Sequence, residues 1–253
     1  FPIAFNKSIQ LEAAARMPPN VTCRTTHSIA WRKAVEFFGS EAPQRVGKTY
    51  ASSVARTFRC GPLVATAALQ AIQNWCGTLD AQIDASHVPA DIAERLADPG
   101  NVVEVARATW GRMCRTDGGE LRLPHDGYLK LFQMDEPTLR GQDLVAVDEA
   151  QDLNLCTYDI VRRQGGGLVL VGDSAQQIFA FRGSANALRV HEADQRLQLT
   201  RSFRFGEGLA QMANALLDHF KLDNTLHLVG AGRAPTRLSV DTKRAFAVLA
   251  RTN

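Results

Sequence analysis

The stretch Leu144-Val145-Ala146-Val147-Asp148-Glu149-Ala150-Gln151-Asp152 decides how this chain is read, because four apolar residues run directly into two adjacent carboxylates. A short apolar run closed by acids is the pattern of a buried parallel strand whose C-terminal end faces a ligand. Working outward, a helix from about Asn154 to Gln164, a Gly165-Gly166-Gly167 stop and a second apolar run from Leu168 to Val171 complete a βαβ unit. The spacing therefore predicts a parallel sheet covered on both faces. Paired carboxylates at such a strand end suit a magnesium ion and the activation of water, the chemistry of nucleoside triphosphate hydrolysis. The lesser alternative is a pair of surface acids capping the next helix, favoured by its N-terminal dipole.

The remaining features bound the class. A chain of 253 residues that is 45% hydrophobic can bury one sizeable core and a subsidiary lobe. A net charge of +3 permits nucleic acid without demanding it, so clustering matters more than the total. Cys23, Cys60, Cys76, Cys114 and Cys156 are scattered and form no C-x-x-C pair, which points to reduced, mostly buried thiols and away from a zinc ribbon. No apolar run reaches the roughly 20 residues of a membrane span. No membrane partner is expected, and the compartment would be the cytoplasm, or the nucleus in a eukaryote. The start at Phe1, without Met, is expected to mark a piece of something longer.

Pro2 to Phe5 reads as the end of a strand, Ser8 to Met17 as a helix stopped by Pro18-Pro19, and Val21 to Thr25 as a strand. Thr26 to Phe38 reads as a helix closed by Gly39. From Ser40 to Glu120 only helical segments are visible, punctuated by Gly and Pro pairs, which predicts an inserted helical subdomain. Later, Arg196 to Leu199 reads as a strand. The helix after Gly206 presents Leu209, Met212, Ala213, Leu216, Leu217 and Phe220 as a core face. After a turn-rich stretch from Val229 to Pro235, Ala245 to Ala250 reads as another strand.

Two further strand ends join the acid pair. The run Val171-Gly172-Asp173-Ser174-Ala175-Gln176-Gln177-Ile178-Phe179-Ala180-Phe181-Arg182 offers a glycine for close backbone approach and, in Gln176, an uncharged phosphate-sensing group. Phe179 and Phe181 could stack on bases or be core residues of a short strand, and Arg182 could meet a phosphate or a carboxylate. The run Leu199-Thr200-Arg201-Ser202-Phe203-Arg204-Phe205 sets an aromatic beside an arginine, which suits a nucleotide base and a transferring phosphoryl group, or else an ordinary surface ion pair.

In this order and spacing the three runs resemble motifs II, III and IV of the superfamily 1 helicases related to UvrD, Rep and PcrA. Ala4-Phe5-Asn6-Lys7-Ser8 looks like motif Ia and Thr25-Thr26-His27-Ser28 like motif Ib. His125-Asp126-Gly127-Tyr128-Leu129-Lys130-Leu131 is closest to the F-box DNA helicase branch. The resemblance implies an α/β fold, a RecA-like parallel sheet flanked by helices. Residues 1–40 and 121–235 would form the first RecA-like domain, 41–120 its helical insertion, and 236–253 the start of a second domain. It implies ATP and Mg2+ as cofactors, with Asp148 as the metal ligand, Glu149 as the general base and Gln176 as the γ-phosphate sensor. Phe203 would stack on adenine and Arg204 would act as an arginine finger. Phe5, Asn6, Thr26, His27, Phe179, Phe181 and Arg182 would contact single-stranded DNA, or DNA with a single-stranded tail, with movement from 3′ to 5′ and a place in DNA repair or recombination. Arg24, Arg32, Lys33, Arg45, Lys48, Arg56 and Arg59 would suit phosphate contacts or a solvated charged face.

The main departure is the phosphate loop, which the family carries ahead of motif Ia. Gly47-Lys48-Thr49 imitates its tail, but the position five residues before Gly47 is Ala42 and no strand precedes it, so it is rejected. Most of the second RecA-like domain is likewise missing. The alternative reading is a helicase-like DNA-binding or regulatory module without catalysis.

Overall fold

A computed structural model describes residues 2–4, 7–95, 98–139, 141–177, 186–220 and 226–233. The chain divides into two compact units, Phe1–His191 and Glu192–Asn253. The strand Ala245 to Ala250 expected from the sequence lies outside the described residues.

The first unit begins with β1 (Pro2–Ala4), α1 (Lys7–Arg16), the two-residue strand β2 (Arg24–Thr25) and α2 (Thr26–Phe38). The α2 boundaries follow from local chemistry. Thr25 Oγ1 accepts from Ser28 N–H and Ser28 Oγ accepts from Thr25 N–H, both at 3.1 Å, and Gly39 ends the helix at a φ of +56°. Helices α3 (Ala42–Arg45), α4 (Ala51–Phe58), α5 (Pro62–Cys76), α6 (Ala90–Ala93) and α7 (Pro99–Met113) follow without a strand among them, and α8 (His125–Met134) leads back to the sheet. The βαβ unit consists of β3 (Leu144–Val147), α9 (Leu155–Arg162) and β4 (Gly167–Leu170), and the short α10 (Ala187–Val190) closes the unit.

The sheet has the order β2-β1-β3-β4 with every pair parallel, and β3 and β4 run in register from Leu144 opposite Gly167 to Val147 opposite Leu170. Parallel strands of this kind, with helices between them, make the mixed α/β architecture expected of a RecA-like fold. Val145 and Val147 are fully buried in a core that also holds Phe132, Cys156, Ile160 and Val161. The opposite face is less covered than the apolar strands suggested, since Leu144, Val169 and Val171 are exposed. An unbroken apolar run thus reported the strand but not how many of its faces are covered.

The helical part buries charge as well as apolar surface. Arg45 is held by the carbonyls of Gly119 at 2.7 Å, Arg115 and Leu121 at 2.9 Å and Met113 at 3.4 Å. Lys33 is buried and paired with Glu36 and Asp135. Neither is therefore a surface cation able to reach a DNA phosphate. Arg56 is paired with Glu120, and Lys48 lies over the Tyr50 ring. Thr49 Oγ1 donates to the Arg122 carbonyl at 2.9 Å and accepts from Arg122 N–H at 2.8 Å, a backbone pairing and not a phosphate cradle. All five cysteines are free thiols, and burial pushes Cys114 and Cys156 up to about 12. No helix among the described residues is long and apolar enough to cross a membrane.

In the second unit, β5 (Arg201–Ser202) pairs in parallel with β6 (Val229–Gly230), and α11 (Glu207–Phe220) lies between them in sequence. The expected strand Arg196 to Leu199 is irregular, with Leu197 and Leu199 among the most exposed apolar side chains. The alternation there is real, but pairing begins two residues later, where a partner strand exists. The apolar face of α11 is also corrected: Leu217 is buried, whereas Leu209, Met212, Leu216 and Phe220 are exposed.

Candidate functional site

Parallel strands deliver their C-terminal ends to one edge of the sheet, and several of the residues singled out from the sequence follow three of those ends. β2 leads into Thr26 and His27, β3 into Asp148 and Glu149, and β4 into Gly172 through Gln176. Phe5, Asn6, Phe179, Phe181 and Arg182 lie outside the described residues.

At the β3 end the chain turns sharply. Glu149 has a φ of +55°, a left-handed conformation that costs a non-glycine residue roughly 1–2 kcal/mol. It leads into a short 3-10 turn, Ala150–Asp152. The turn is pinned to the neighbouring strand end by Ala150 N–H donating to Val171 O at 2.9 Å. The Asp148 carboxylate is exposed, and its Oδ1 accepts from Glu149 N–H at 3.1 Å. Among the described residues no group of three His, Cys, Asp or Glu side chains could cage a metal ion. One exposed carboxylate at a strand end fits magnesium kept by water and substrate phosphates, and does not fit an ion held by protein alone.

Gln151, which the sequence reading quoted but gave no role, is 1% exposed. Its Nε2 donates to Glu149 Oε2 at 2.6 Å, and its Oε1 accepts from Asp173 N–H at 3.1 Å. Asp173 in turn accepts from Ala175 N–H at 2.9 Å and from Gln176 Nε2 at 2.7 Å. Gly172 was expected to let the backbone approach a ligand. What approaches it is Gln151: a Cβ at Gly172 would overlap Gln151 Oε1. A neutral amide between two acids in the motif, with no place on an apolar face, was the signal available in the sequence.

At the β2 end, His27 stands edge-on to Tyr128 and His125, with ring centroids 5.7 and 6.3 Å away, and its Nε2 is 3.7 Å from Asp126 Oδ1. Burial holds the His27 imidazole below its ordinary range, against the pull of Asp126 and with the push of His125, so the ring is neutral near pH 7. Two separately noted segments, Thr25 to Ser28 and His125 to Leu131, therefore form one cluster. Gly127 lets the same helix pack on its other neighbours, since a Cβ there would lie 2.7 Å from Leu123 Cδ1 and 3.1 Å from the Trp110 ring.

In the second unit Phe203 is 75% exposed, and Arg204 is exposed with its N–H on Ser202 Oγ at 3.3 Å.

Residues 136–195 match the UvrD/REP helicase N-terminal domain. The chain is 32% identical to F-box DNA helicase 1 of Gallus gallus over 272 residues, which covers 99% of the chain and 26% of that protein. It is 28% identical to F-box DNA helicase protein 1 of Schizosaccharomyces pombe over 249 residues, covering 85% of the chain and 27% of the relative. The chain thus spans about a quarter of the length of the curated relatives it matches.

Proposed function

Because the chain belongs to the UvrD-like superfamily 1 helicases, on the branch of the F-box DNA helicases, we propose that it supplies most of the first RecA-like domain of an ATP-driven DNA helicase. The observation that carries this reading is the acid pair after β3 on the same sheet edge as Gln176 after β4. That edge is where open parallel sheets bind their ligands.

In this reading Asp148 would hold a magnesium ion, which would supply positive charge to offset that of the triphosphate. Glu149 takes the proton of the attacking water, which requires a carboxylate held at a fixed orientation. Gln176 offers amide hydrogens to a terminal phosphoryl oxygen without adding charge. Arg204 supplies a planar cation for charge spread over the transferring group, and Phe203 a face for adenine. By the resemblance, Phe5, Asn6, Thr26, His27, Phe179, Phe181 and Arg182 would contact single-stranded DNA, and aromatic faces stack on bases without sequence preference. Burial disfavours the charged form of His27, which suits a hydrogen-bonding contact more than a salt-sensitive ionic one. Movement from 3′ to 5′ is the direction that the resemblance implies.

The test is ATP turnover by the intact protein, with and without single-stranded DNA. Glu149→Gln is expected to lower kcat by about 10³-fold, as loss of a general base does, while a fluorescent ATP analogue binds with near wild-type affinity. Wild-type turnover in that variant would remove the reading. Oligonucleotide binding with no hydrolysis in the unaltered protein would favour the non-catalytic module.

A further inference from the structure

Buried amides are costly unless both ends are used: an unpaired donor or acceptor forfeits roughly 1–3 kcal/mol. Gln151 uses both, and its partners stand on different strand ends. Its donor meets a carboxylate and its acceptor meets a backbone N–H, which also fixes which end of the amide is oxygen. No other side chain of this length serves both. A glutamate would set a second carboxylate against Glu149, a lysine could not accept from Asp173 N–H, and an aliphatic residue could do neither. Gly172 is open on the side where Gln151 lies, so the adjoining strand end is shaped around this amide.

The bonds continue beyond it. From Glu149 Oε2 through Gln151, the Asp173 backbone and the Asp173 carboxylate to Gln176 Nε2, an unbroken hydrogen-bonded path joins the acid after β3 to the amide after β4. We infer that Gln151 is a positioning residue that fixes the Glu149 carboxylate and the Asp173–Gln176 turn relative to each other, so that the two groups facing the nucleotide are set as one unit. This rests on the proposed roles of Glu149 and Gln176. Gln151 acts through its neighbours: both ends of its amide are taken up by Glu149 and the Asp173 backbone. Its hydrogen bond to Oε2 restricts rotation of the Glu149 carboxylate.

A double-mutant cycle on ATP turnover of the intact protein tests this, with affinity for a fluorescent ATP analogue and thermal midpoint measured alongside. Gln151→Met, close in volume and apolar, is expected to lower kcat roughly 10- to 100-fold, the usual cost of losing an outer-shell partner, with analogue affinity within about threefold. Gln151→Glu, which keeps the acceptor for Asp173 N–H, is expected to lose as much, because the donor to Glu149 is gone. In the Glu149→Gln background, Gln151→Met is expected to lower the residual rate by clearly less than it does in the wild-type background, since only its effect through the Asp173–Gln176 turn remains. A purely structural role would instead give independent losses in both backgrounds together with a lowered thermal midpoint, and that result overturns the proposal. So does kcat near wild type in either Gln151 variant while Glu149→Gln is inactive. If Glu149→Gln itself turns over normally, the general-base assignment falls and takes this inference with it.

Discussion

The packed helices and the sheet edge treat polar groups in opposite ways. In the helical part, buried polar groups are held by several partners each: Arg45 sits among four carbonyls, Lys130 donates to Thr78 O at 2.9 Å and Gln133 Oε1 at 3.1 Å, and the His87 ring stands 3.0 Å from both Asp80 and Asp84. At the sheet edge, Asp148 and Gln176 are exposed and Glu149 is half-buried on a strained backbone. Saturated charges hold a fold together, because their partners replace the water they lost. Carboxylates at strand ends do little for the fold, and in the proposed function their placement serves a ligand.

The contrast is broken most sharply at its two extremes. Glu149→Gln, with its loss of turnover of about 10³-fold or roughly 4 kcal/mol on the barrier, should leave the thermal midpoint within a degree or two. Destabilisation comparable to that of a core substitution would show that the edge is structural. Arg45→Met should do the reverse, lowering stability by about 3 kcal/mol in urea unfolding because several buried carbonyls lose a charged donor, with nucleotide affinity of the surviving folded protein unchanged.

A subtler probe is Asp159, fully buried between Gln133, Arg162 and Arg163. Burial pushes its carboxyl upward, but the Gln133 hydrogen bond and the two guanidinium groups outweigh it and hold it below the ordinary carboxylate range. A depressed native value adds stability above the unfolded value of about 3.9, and that stability is lost as pH falls through the native one. Asp159→Asn should therefore cost about 2 kcal/mol at pH 7, since the guanidinium partners are partly exposed and can rehydrate. It should also flatten acid unfolding below about pH 4; an unchanged acid limb would remove Asp159 from the saturated set. The smallest effect is expected at Glu12, whose pair with Arg16 is solvent-exposed on both sides. Glu12→Ala should shift stability by less than about 0.5 kcal/mol, and a larger change would mean that exposed pairs matter here too.

Legibility in the sequence followed the range of the interactions. The strand Leu144–Val147 and the helix Thr26–Phe38 are found where the pattern sets them, because an apolar run, a Thr-Ser capping box and a stopping glycine all act within a few residues. The strand expected at Arg196 to Leu199 failed because alternation cannot supply a partner, and the partner Val229–Gly230 stands opposite Arg201–Ser202 instead. The face of α11 was visible as a period, but whether anything covers Leu209, Met212, Leu216 and Phe220 is not a periodic property. Lys33 and Arg45 read as surface cations because a basic side chain is usually exposed. Only their distant partners, Asp135 and the carbonyls of Met113 to Leu121, make burial tolerable.

The sequence by itself determined the parallel βαβ unit, the acid pair at its strand end and the family resemblance, since these rest on contiguous patterns whose chemistry is local. Tertiary structure alone decided which polar groups became fastenings and which stayed available. It joined His27 to a helix a hundred residues away, buried Arg45, and brought Gln151 between Glu149 and Asp173. The physical reason is that a polar side chain has no fixed role until its hydrogen-bond partners are known, and in this chain the decisive ones come from neighbouring strand ends and distant helices.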